Sequence, residues 1–114
     1  MSKPSLTHLC LIVVAAGTVA SAQDLDKAKL DQARSVIAEA ALLETAAARG
    51  RVTQTYAQAL RDTLREDLQK LARSPQFAAT AHAALTALDR HDAAALAGLR
   101  DRLVARERSH GRAD

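Results

Sequence analysis

From Asp24 onward the apolar residues recur every third or fourth position, and that spacing admits only helices. A helix turns about 100° per residue, so a 3-4-3-4 rhythm draws one stripe along one side of a rod. Ala33, Val36, Ala40, Leu43 and Ala47 form the first such stripe, with Leu30 and Ile37 widening a flank. Ala57, Leu60, Leu64, Leu68 and Leu71 form a second. Phe77, Ala81, Leu85 and Leu88 form a third, and Leu96, Leu99 and Leu103 a fourth. Alanine is about a quarter of the chain, Leu follows, and Arg far outnumbers Lys. These residue types lead the helix-propensity ranking.

The breaks between stripes carry helix-end chemistry. The first helix is expected from about Asp24 to Arg49, with Gly50 as its left-handed stop and Asp24 and Asp26 at the positive end of its dipole. Thr53 is placed to cap the second helix. Ser74-Pro75 reads as the cap and first residue of the third, and Asp92 as the cap of the fourth. The residues from 109 onward read as a disordered tail. Short connections make consecutive helices antiparallel neighbours. Folding the first helix on the second sets Leu43 near Leu60, Ala40 near Leu64 and Val36 near Leu68. The fold class is therefore all-α: a small antiparallel bundle of about four helices, built as two hairpins that bury their faces together or on a companion chain.

The first 22 residues have a different pattern. Lys3 precedes an apolar stretch from Leu6 to Val19, and Ala20-Ser21-Ala22 supplies small residues before the polar Gln23-Asp24. That order is expected of a secretory signal cleaved after Ala22. The stretch is short for a membrane span and contains His8 and Gly17. Three regions follow: a signal peptide over 1–22, a helical domain over 23–108 and the tail over 109–114. Processing places the protein in the periplasm or outside the cell. It also removes Cys10, the only cysteine, so packing alone must stabilise the domain.

Without Lys3 the chain has 15 Lys and Arg against 13 Asp and Glu, with one Tyr, one Phe and no Trp. That balance, without stacking aromatics, argues against nucleic acid as a partner. The charge is uneven, with a net negative first helix and a net positive remainder. No Gly-x-Ser-x-Gly turn or phosphate-cradling loop occurs. His82, His91 and His110 lack the three- or four-residue spacing of a helical metal pair, although His91-Asp92 offers a weak two-ligand start.

Candidate partner-binding residues remain. Glu44 and Asp67 are acids on or beside apolar stripes, where each must pair, hydrogen-bond or change its proton affinity. An arginine from a neighbouring helix is the ordinary way to satisfy such an acid. Tyr56 shares a polar flank with Thr63, Asp67 and Lys70, which is equally the pattern of a solvated boundary. Leu42 points away from its stripe, as isolated surface leucines commonly do. Arg100, Arg102 and Arg106 belong to a basic last helix with an apolar counterface, a weak match to a helix lying on an anionic membrane surface. The sequence reading is an exported, non-enzymatic helical protein, with no catalytic residue or cofactor, that binds another envelope protein or itself. The alternative is a periplasmic sensor of a metal or small ligand.

Overall fold

A computed structural model describes residues 26–113, with side chains from 26 to 109. The signal peptide expected over 1–22 lies outside the described residues. Four helices fill the described chain: α1 over 26–48, α2 over Gln54–Leu71, α3 over Ala78–Asp89 and α4 over Ala93–Ala113. The sequence reading stopped the last helix at 108, whereas α4 continues to Ala113. No described helix is long and apolar enough to cross a membrane.

Helix ends follow local chemistry at three of the four predicted signals. Gly50 has φ +67°. Around it the Arg51 amide donates to the Ala46 carbonyl at 2.9 Å and the Gly50 amide to Ala47 at 3.1 Å. This 6→1 and 5→2 pair is a Schellman stop. Thr53 Oγ1 accepts from the Tyr56 amide at 3.2 Å, and Asp92 Oδ1 from the Ala95 amide at 3.0 Å. Each therefore caps its helix as expected.

Ser74 does not cap α3. The Phe77 amide donates to the Ser74 carbonyl at 3.0 Å, closing a separate turn, and α3 starts only at Ala78. Phe77 takes the N-cap position with φ −116° and no side-chain cap. Its ring is fully buried. Burying that ring outweighs the side-chain cap that Ser74 could have made.

The four helices close into an up-down-up-down ring. α2 packs on α3 and α3 on α4. α1 meets α2 through Glu44 and Arg61, and meets α4 through Arg34 and Glu107. Glu44 also meets His91, just ahead of α4. Residue 44 lies opposite 91 and residue 34 opposite 107, so α1 and α4 run antiparallel. The hairpins thus close on each other within one chain. Glu44 opposite Arg61 stands within two residues of the Leu43–Leu60 register read from sequence.

Two neighbours explain the breadth of α1's buried face. Leu30, Ala33, Val36, Ile37, Ala40, Ala41 and Leu43 are all buried. At 3.6 residues per turn they span an arc of roughly 160°. Leu64, Leu68, Phe77, Leu88 and Leu96 complete one continuous core with them. Buried alanines of α1 and α3 share this core with the leucines, the mix of small and large side chains that close helix packing uses.

Gly98 stands inside α4, and a Cβ added there would meet nothing within 4 Å. Gly98→Ala is therefore expected to stabilise the protein by about 0.5–1 kcal/mol through helix propensity. Thermal unfolding measures this, and a loss of stability would mean that the open space is used.

Candidate functional site

The α1–α2 hairpin is taller than the α3–α4 hairpin. Asp89, the last residue of α3, already contacts Arg65, and His91 in the following turn contacts Glu44. Beyond those levels α1 continues to 48 and α2 begins at Gln54. At 1.5 Å per residue the overhang is on the order of 7–10 Å. It leaves a groove of about 910 Å³, open to solvent, lined by Ala47, Ala48 and Val52 together with Gln54, Gln58 and Asp62. Glu44, Arg61 and His91 form its polar end.

Glu44 anchors that end. Its side chain is 1% exposed, and it is the one buried charged residue among the described residues. Arg61 donates from Nε to Oε2 at 2.7 Å and from Nη2 to Oε1 at 2.9 Å. This is a bidentate fork, the strong form of the arginine–carboxylate pair. His91 Nδ1 lies 3.3 Å from Oε1. Burial pushes the Glu44 carboxyl up, but the Arg61 hydrogen bonds and charge, joined by His91, outweigh it and hold it below the ordinary range. The same pair raises Arg61.

The lowered proton affinity of Glu44 has a stability consequence with a definite sign. Below a carboxyl's ordinary value near 4.3, the unfolded chain binds a proton more readily than the folded one. Stability from Glu44 is therefore fully present above about pH 4.3 and is lost as pH falls through the lower folded-state value. Urea unfolding between pH 6 and 3 should weaken more steeply in the native protein than in Glu44→Gln. Parallel pH profiles would contradict the burial and pairing of this acid.

His91 reaches Glu44 from an unusual backbone position. It is the only described non-glycine residue with positive φ, at 54°. The Asp92 amide donates to Ala87 at 2.9 Å and the His91 amide to Leu88 at 3.1 Å, a second Schellman stop. Glycine is the usual occupant of that position because a Cβ disfavours the left-handed region. His91→Gly should therefore be more stable than His91→Ala by about 1 kcal/mol, both lacking the imidazole. Equal stabilities would show that the turn is not left-handed.

The other candidates are dispersed. Leu42 is 66% exposed and Tyr56 58% exposed, both on outer faces. Asp67 is half-buried and has no ion-pair partner among the described residues, unlike the pairing expected of it. Arg100 pairs with Asp101 at 3.1 Å, Arg102 is exposed, and Arg106 stacks over the Phe77 ring with its Cζ 5.4 Å from the centroid. Arg106 is thus partly committed to the far end of the bundle. Within α4, Glu107 Oε2 lies 2.9 Å from Arg34 Nε, off the direction of a good hydrogen bond. No hydrogen bond or ion pair joins any two of the seven candidates.

The residue missed at sequence level is Arg61. It flanks Leu60 and Leu64 on α2, and nothing in its local sequence sets it apart from the other arginines. The pairing of His91 with Asp92 as metal ligands also needs correction: Asp92 is occupied capping α4, and the carboxylate facing His91 is Glu44. Among the described residues no three His, Cys, Asp or Glu side chains gather in a metal-holding group. What the arrangement can do is fix one end of a groove with a rigid, hydrogen-bonded charge pair while leaving apolar wall open beside it. No protein-family model, curated protein or solved structure matches this chain.

Proposed function

We propose that the chain is an exported, non-enzymatic helical protein that acts by binding another protein of the cell envelope. The observation that carries this reading is the overhang of the α1–α2 hairpin. There the apolar side of the bundle runs past the α3–α4 turn, and Ala47 and Val52 in the groove are only half-buried. A buried apolar side chain gains stability in proportion to the area removed from water, so a partner that covered this wall would gain in the same way. Exposed Leu42 and Tyr56, on outer faces away from the groove, offer further apolar contacts to a partner. Export rests on the signal pattern of residues 1–22.

The sensor alternative would draw on His91 and Glu44. Both Glu44 oxygens accept hydrogen bonds from Arg61, so a metal cation would compete with a guanidinium. That competition favours the binding-module reading.

Site-specific photo-crosslinking in cells tests it. A crosslinker at position 52 or 56 should yield one reproducible heterologous adduct in the envelope fraction, and the processed chain should begin at Gln23. Adducts absent from positions 52, 56 and 42 alike, or Met1–Ala22 retained in the cytoplasm, would overturn the reading.

A further inference from the structure

The described packing starts late in α1. The helix begins at residue 26, residues 26–29 are all exposed, and Leu30 is the first buried side chain among the described residues, at 4% exposure. Ala33, Val36 and Ile37 follow it into the core. An exopeptidase working inward along α1 would therefore meet no core residue until Leu30, and removing Leu30 would open the end of the bundle.

Cleavage after Ala22, the reading of residues 1–22 on which this inference rests, makes Gln23 the first residue. A glutamine with a free α-amine carries its own electrophile, because the amine and the side-chain amide carbon are spaced to close a five-membered ring. We infer that the processed protein is modified at Gln23, its α-amine closing on its own side chain to give pyroglutamate. The amine nitrogen attacks Cδ, and the N–Cδ bond forms. The Cδ–Nε2 bond breaks, and the amide nitrogen leaves as ammonia with the proton that the amine gives up. No oxidant, reductant or cofactor enters, and an ordinary α-amine is partly neutral, hence nucleophilic, near neutral pH. The ring removes a positive charge three positions ahead of residue 26 in the sequence, where α1 presents the positive end of its dipole. It also denies exopeptidases the free amine they bind, and so protects the exposed first turn of α1 and Leu30 behind it.

Top-down mass spectrometry of the intact protein from the envelope fraction tests this. Fragmentation should place the loss of one ammonia at residue 23. Edman degradation should be blocked until pyroglutamyl aminopeptidase removes that residue, and should then read Asp24. In a pulse-chase, Gln23→Glu should gain the ring at least 10-fold more slowly than the native chain, because its carboxylate is a poor electrophile and has no ammonia to expel. Gln23→Ala should be trimmed by a broad-specificity aminopeptidase at least 10-fold faster than the native protein, with equal helicity by circular dichroism before digestion. A free Gln23 amine on the envelope protein overturns the inference and leaves the export reading standing, whereas Met1–Ala22 still attached sinks both. Equal trimming of the native and Gln23→Ala proteins also overturns it.

Discussion

Arg61→Ala is expected to lower the stability of the bundle by about 3 kcal/mol, because it strands the Glu44 carboxylate in the core. Glu44 is almost fully buried, and both its oxygens accept from Arg61. Breaking a buried pair from one side typically costs about 3–5 kcal/mol. The lower end applies because the groove beside Glu44 is open and water can reach the space that Arg61 leaves. For a domain of this size such a loss moves thermal unfolding by roughly 12–24 °C. Glu44→Leu combined with Arg61→Leu should recover most of that loss, since removing both charges leaves nothing stranded. The result that would contradict this is a double variant no more stable than Arg61→Ala. It would mean that the pair contributes shape rather than mutual neutralisation.

Phe77→Ala is the second large effect, with an expected loss of about 3–5 kcal/mol. The ring is fully buried, is the largest such side chain, and sits where the α2–α3 turn meets α4. Truncation leaves a cavity at the end of the bundle and removes the surface over which Arg106 lies. Stability of 5–15 kcal/mol is usual for a small domain, so this single change can unfold much of the population at 37 °C. Denaturant midpoints measure it, with Leu42→Ala as the exposed-residue control at less than about 0.5 kcal/mol. A loss below the ordinary range for a core aromatic would show that the turn is loosely packed.

Much of this architecture is legible in local sequence because helix ends and stripes are local chemistry. Gly50, Thr53 and Asp92 do in the fold what their residue types do in any helix. Most stripe leucines of α2, α3 and α4 are buried, whereas Leu60, Leu85 and Leu99 at the edges of the core are half-buried. Ser74 shows where locality fails. A good cap was available, but the helix starts at Ala78 because the Phe77 ring is worth more inside the core than a hydrogen bond is at the surface.

The site was half legible for the same reason. Glu44 stands out on the α1 wheel as an acid within an apolar arc, which predicts that it must be satisfied. Its partners cannot be read there, because Arg61 is 17 residues away and becomes its neighbour only through the hairpin register. His91 is further hidden by its backbone. A positive φ at a helix stop is ordinarily read from glycine, and here a histidine adopts it. The groove follows from a difference in hairpin length, which depends on α3 starting late at Ala78 and ending at Asp89.

The central claim is that α4 closes on α1 within one chain and sets His91 against Glu44. Isotope-filtered nuclear Overhauser spectroscopy, on uniformly labelled protein and on a mixture of labelled and unlabelled chains, tests it most directly. Contacts between the His91 ring and the Glu44 side chain should appear in the uniformly labelled sample and vanish under the filter that selects pairs between chains. Contacts seen only between chains, or none at all, would contradict the closed bundle.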